Sequence, residues 1–144
     1  MEMVSINELE LNKKINIGTV TLSEQDIIDY AKLNDPLEFH IDRKAAEASI
    51  FKGFVASGSQ IFNNLHKTGW IKLFGHSVIC GLEVNNWKFI RPVYANQLIK
   101  GTVEPIIINK NKEKGHAVIA WRYEFTDTKG ELVQILEVTV LHKL

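Results

Sequence analysis

Asp35 and His40 stand five residues apart in the run Asp35-Pro36-Leu37-Glu38-Phe39-His40-Ile41-Asp42. A carboxylate and a neutral imidazole on a shaped loop can hold one water between them and move its protons near pH 7. Proline disfavours helical geometry at the residue before it, so the chain should leave a helix at Asp35, and the run is expected to be loop without helix. A second polar cluster follows at Ser57-Gly58-Ser59-Gln60. Its pattern is that of a capping box, with the Ser57 hydroxyl and the Gln60 amide meeting backbone donors at a helix start. Gly58 has no side chain, and the free amides and dipole of a helix start favour negative charge beside it.

These groups need elements to position them. Ser23-Glu24-Gln25-Asp26 also reads as a capping box, and Ile27, Ile28, Tyr30, Ala31 and Leu33 then recur at helical spacing up to Asn34. Asp42 is placed to cap a short turn through Ala45, Ala46 and Ala48. Ser57 to about Trp70 is the longest helical candidate, with Ile61, Phe62, Leu65 and Gly69 on one side.

The stretch from Tyr30 to about Leu65 resembles the MaoC-like hydratase/dehydratase family of hot-dog-fold proteins. The matching residues are Tyr30-Ala31-Lys32-Leu33, Asp35-Pro36, Phe39-His40-Ile41-Asp42, Ala45-Ala46, Phe51 with Gly53, and Val55-Ala56-Ser57-Gly58. The resemblance implies addition or removal of water at the 2,3 position of an acyl thioester carried on coenzyme A or acyl carrier protein. On this chain it makes Asp35 and His40 the groups that grip the water, and the Gly58 N–H the donor to the thioester oxygen. It surrounds the substrate with Phe39, Phe51, Ser57, Ser59 and Asn63, although both phenylalanines could equally be core residues. It calls for no metal or redox cofactor, and it implies a homodimer or higher homo-oligomer with two sheets paired edge to edge and sites at the interface. Pro36 directly after Asp35, and Ser57 where His is common, depart from the family pattern. A thioesterase on the same fold, with Asp35 or Glu38 as base, and a non-catalytic acyl-thioester-binding or assembly subunit are the alternatives.

Composition bounds the rest. At 144 residues and 45% hydrophobic content, one domain over residues 1–144 with a sizeable core is expected. Lys plus Arg equals Asp plus Glu at 17 each, which leaves no overall field to favour nucleic acid or an anionic membrane. The first residues lack a basic segment followed by an apolar run, and no stretch approaches the roughly 20 apolar residues of a membrane span. A cytoplasmic location is the default expectation. Cys80 is the single cysteine, so an intramolecular disulfide is impossible, and core packing is its expected role.

Strand signals flank the helical ones. Ile15–Leu22 reads as a first strand, Leu82–Arg91 as a second with Trp87 and Phe89 on one face, and Gln97–Ile108 as a third with a bulge, edge or break at Pro105. Ala117, Ile119, Trp121, Tyr123 and Phe125 alternate as a strand buried on one face. Asp127-Thr128-Lys129-Gly130 is a hairpin turn, and Leu132–Leu141 closes the sheet. The expected fold is α+β, a curved antiparallel sheet of about five strands wrapped around one long central helix. The loop from Asn109 to Gly115, with Lys110, Lys112 and Lys114, is expected to be solvated, with binding of the carrier's phosphates or acidic surface as the sharper alternative. Arg91 and Arg122 are comparable phosphate candidates. The remaining histidines, His66, His76, His116 and His142, lack metal-ligand spacing.

Overall fold

A computed structural model describes residues 2–144. After a 3-10 turn at Ile6–Glu8, the elements run β1 Ile15–Thr21, α1 Glu24–Asn34, α2 Glu38–Ile41, α3 Arg43–Ala48, α4 Gln60–Leu65, α5 Ile71–Phe74, β2 Val78–Phe89, β3 Leu98–Asn111, β4 His116–Thr126 and β5 Leu132–Lys143. All five strands form one antiparallel sheet in the order β1-β3-β4-β5-β2. The expected hot-dog arrangement is present, with one correction to its central rod. That rod is helical from Gln60 to Phe74, but α4 and α5 are joined by a π-helical turn at His66–Trp70, and the rod starts three residues later than Ser57.

The helical rod covers the sheet as the period-two pattern requires. Ala117, Ile119, Trp121, Tyr123 and Phe125 of β4 are all buried, and they meet the rod through aromatic contacts. The ring of Phe74 lies 4.5 Å from that of Trp121, and Phe62 meets Tyr123 edge-on at 5.1 Å. Burial of each such side chain contributes about 1.5–3 kcal/mol. The rod lies tight against β1 at Gly69, where an added Cβ would overlap the Ile17 carbonyl oxygen. On the strand side, Gly18 accommodates a bulge between Asn16 and Gly18 with φ of 108°.

Local signals behaved as their chemistry dictates at most positions. Ser23 and Asp26 form a reciprocal capping box at the start of α1, and Asp42 Oδ2 accepts the Ala45 N–H at 2.9 Å. The register slips between Pro105 and Ile107, which is the anticipated bulge. Two other readings are corrected. β2 begins at Val78 rather than Leu82, because the 3-10 turn Gly75–Ser77 delivers the chain directly into pairing with His142 of β5. Cys80 is exposed on this edge strand and packs in no core. Leu33, although in helical register, faces solvent.

One buried polar chain ties the end of the rod to the sheet. The Trp121 indole N–H donates to His142 Nε2 at 3.1 Å, leaving Nδ1–H to donate to Ser77 Oγ at 2.8 Å, and the Ser77 hydroxyl donates to the Phe74 carbonyl at 3.0 Å. This order requires a neutral imidazole. Burial, assisted by the charge of His76, lowers the His142 pKa from 6.5 to about 4. As pH falls from about 6.5 to 4 the unfolded chain takes a proton here that the folded one refuses, so stability is lost across that window, by up to roughly 3 kcal/mol. Urea unfolding at stepped pH should show this slope in the wild type, and His142→Gln should remove it.

Candidate active site

Asp35 and His40 come together through three short elements. The α1 helix stops at Asn34 because Pro36 forces Asp35 off helical geometry, to φ −161° and ψ 67°. The run does not stay free of helix, however, since Glu38–Ile41 closes one helical turn and rotates His40 back toward Asp35. Proline constrains only the residue before it, and the turn begins two residues after it. His40 Nε2 thus lies 3.4 Å from Asp35 Oδ2, with the imidazole buried and the carboxylate side chain 38% exposed.

The other ring nitrogen decides the tautomer. His40 Nδ1 lies 2.7 Å from the Val55 carbonyl oxygen, which can only accept, so in the neutral imidazole Nδ1 carries the proton and Nε2 presents a lone pair. Val55 is aimed there by an isolated bridge to Tyr94, flanked by bonds from Ala56 N–H to Val93 O and from Ala95 N–H to Phe54 O. An Nε2 lone pair and a carboxylate are both acceptors. Together they suit a group with two hydrogens, such as water.

The pair opens onto a cavity of about 570 Å³ lined mainly by apolar side chains, among them Phe39, Phe51, Ile61, Trp87 and Phe89. Phe39 is tilted against both neighbours, its ring 4.3 Å from that of His40 and 5.7 Å from that of Phe51. Both phenylalanines are therefore cavity wall. Ser57, Gly58 and Ser59 also line it, but the expected capping box at Ser57 is absent. Gln60 sends its Nε2 to the Asp26 carbonyl instead, at 3.0 Å, and Ser57 Oγ is buried with no hydrogen-bond partner among the described residues. Ser59 Oγ bonds Tyr30 Oη at 2.7 Å, and Asn63 donates to the same Tyr30 oxygen at 2.6 Å. Asn63 stands outside the cavity lining and reaches it only through Tyr30 and Ser59.

Gly58 lines the same cavity as the dyad, and its N–H has no protein acceptor among the described residues. A Cβ there would come within 2.5 Å of the Phe89 ring, so a side chain at this position would have to push that exposed ring aside. Gln134, Trp87 and Phe89 also line the cavity, and sequence reasoning gave them no place in the site. Gln134 carried one signal, a polar residue inside the apolar run Leu132-Val133-Gln134-Ile135-Leu136.

The basic candidates separate. Arg91 lines the cavity and is half-exposed, with Nη1 3.0 Å from Glu131. Arg122 pairs with Glu124 on β4, outside the lining. The β3–β4 hairpin with Lys110, Lys112 and Lys114 turns beside His116 and Lys143, at the opposite end of β5 from Gln134. The eight residues from Gln134 to His142 span about 27 Å. Replacing the three lysines by Gln should leave the Michaelis constant for an acyl thioester unchanged, measured by initial rates at low ionic strength.

Comparison with known proteins gives one consistent picture. A model of the MaoC-like domain family matches residues 8–125. The Bacillus subtilis (strain 168) protein YdeM, itself described as uncharacterized, is 30% identical over 103 residues, covering 70% of this chain and 72% of YdeM. The MaoC-like dehydratase from Rhodospirillum rubrum superposes with a TM-score of 0.82 at 21% identity, over 97% of each chain. The (R)-hydratase PhaJ1 from Pseudomonas aeruginosa does so with a TM-score of 0.74 at 21% identity, over 95% of this chain and 84% of PhaJ1. Among the described residues no helix is long and apolar enough to cross a membrane.

Proposed function

The chain belongs to the MaoC-like domain family, and on that footing we propose that it is an acyl-thioester hydratase/dehydratase acting at the 2,3 position of an enoyl or 3-hydroxyacyl thioester. The observation that carries the reading is that Asp35 and His40 Nε2, the unprotonated nitrogen of the neutral imidazole, line one mainly apolar cavity together with Gly58, whose N–H has no protein acceptor among the described residues. A water donating one hydrogen to each acceptor keeps its oxygen lone pairs for C3 of the enoyl group. As that oxygen bonds C3, one proton passes to the dyad and the C2–C3 π electrons move onto the thioester, where the Gly58 N–H receives the developing oxygen charge. The dyad then returns a proton to C2. The net change is addition of one water, and the reverse sequence expels it from a 3-hydroxyacyl thioester.

Phe39 and Phe51 shape the acyl channel, and Ser57 lines it with a buried hydroxyl that has no hydrogen-bond partner among the described residues. Ser59 and Asn63 act through Tyr30 to hold the cavity wall. Water addition to a polarised enoyl group is acid–base chemistry, so the proposal calls for no metal or redox cofactor, the acyl group arriving on coenzyme A or acyl carrier protein. The reading also includes a homodimer and a cytoplasmic setting. β2 supports the first of these, being an edge strand with one paired neighbour and with Ile79, Leu82 and Val84 exposed along it.

The test is incubation with short and medium 2-enoyl-CoA esters, following the conjugated thioester absorbance and, separately, free thiol. Hydration removes the absorbance without releasing thiol. Thiol release instead would make the protein a thioesterase and overturn the proposal.

A further inference from the structure

Both peptide planes around Gly58 are pinned from outside the residue. The Ser57 carbonyl accepts the Gln60 N–H at 3.0 Å, and because a trans peptide sets its N–H opposite its C=O, the Gly58 N–H points away from the first turn of α4. On the other side, the Gly58 carbonyl accepts Gln134 Nε2 at 2.7 Å, across 76 residues of chain. Gln134 is itself held, its Oε1 accepting the Trp87 indole N–H at 3.2 Å. An indole N–H only donates, so the atom facing it must be the amide oxygen, and the amide nitrogen must face Gly58. The relay has one direction.

Gln134 is 3% exposed. A buried amide costs stability unless its groups are bonded, and an apolar side chain would fill a strand position at less risk. Here both ends of the amide are used, and one of them holds Gly58, which lines the cavity.

We propose that Gln134, locked by Trp87, is a positioning residue that fixes the Gly58 N–H as the donor to the thioester oxygen. This rests on the reaction assigned above and adds to it a residue outside the matched motif. Oxyanion donors work by being aimed in advance, so that nothing must reorganise as charge develops. Without the Gln134 bond the Gly58–Ser59 peptide can turn, and the Gly58 backbone that carries the N–H keeps one of its two anchors, the Gln60 bond to the Ser57 carbonyl, so its aim is loosened rather than lost.

The test uses Gln134→Leu and Gln134→Glu in the full chain. Complete loss of an oxyanion donor costs about 10²–10³-fold in kcat, and a loosened one should cost less, so Gln134→Leu is expected to lower kcat about tenfold to thirtyfold with KM unchanged. In the unliganded protein the Gly58 amide cross-peak should broaden or double in Gln134→Leu and remain single in the wild type. A carboxylate cannot donate to the Gly58 carbonyl but a protonated carboxyl can, so the activity of Gln134→Glu relative to wild type should rise as pH falls.

A folded Gln134→Leu with wild-type kcat, or with its loss wholly in KM, overturns the proposal. So does an unchanged Gly58 cross-peak. Should the wild type turn over no enoyl thioester, the assigned reaction fails, while the cross-peak in the unliganded protein still decides whether Gln134 holds Gly58.

Discussion

Asp35→Asn is expected to reduce hydration by about 10²–10⁴-fold, the usual worth of a positioned acid–base group, while the protein stays folded. The carboxylate side chain is 38% exposed, and the helix stop at this position is made by Pro36. Asn preserves the shape and removes the chemistry. Its amide can donate a hydrogen to His40 Nε2, now 3.4 Å from the carboxylate, which occupies the lone pair that a water needs. His40→Gln attacks the same pair from the other side, because Gln can still donate to the Val55 carbonyl yet carries no nitrogen that accepts a proton near neutral pH. Since the two groups act on one water, the double variant should be little worse than either single one. Initial rates of enoyl thioester loss, with circular dichroism to confirm folding, decide this. Normal turnover in either folded single variant would remove the dyad from the mechanism.

Gly69→Ala is the second large effect, and it falls on stability. A Cβ at this position would overlap the Ile17 carbonyl oxygen and crowd its Cβ, and backbone of a paired strand cannot rotate aside as a side chain can. The rod must then lift from β1, pulling its neighbour Trp70 from the ring of Trp121, 5.6 Å away. A loss of about 3–5 kcal/mol is expected, against a total stability of about 5–15 kcal/mol for a protein of this kind. Gly53→Ala is the matched control, with nothing within 4 Å of the added carbon. Urea midpoints for the two variants should separate clearly, and near-equal midpoints would mean that the rod can shift along the sheet without cost.

Much of the fold could be read from neighbouring residues, because its causes are local. The Ser23 and Asp26 box, the stop at Pro36, the Asp42 cap and the alternation from Ala117 to Phe125 each depend on groups a few positions apart. The same locality explains the misreadings. Ser57-Gly58-Ser59-Gln60 has capping-box residues in capping-box order, yet the Gln60 side chain is taken by the Asp26 carbonyl, 34 residues away. The Glu38–Ile41 turn forms although a proline stands just before it, and Cys80 is exposed because β2 lies at the sheet edge.

Of the site itself, the residue types at Asp35, His40, Gly58, Phe39 and Phe51 were legible in the chain. What the folded arrangement alone decided is which way their atoms face. The Val55 carbonyl selects the His40 nitrogen that keeps its lone pair, and Gln134, bonded to Trp87, holds Gly58 from a strand at the far end of the sequence. A sequence names donors and acceptors and sets the dihedral preferences of their immediate neighbours. The direction of a hydrogen bond depends on its partner, and in this protein the deciding partners are brought up by the closing of the sheet around the rod.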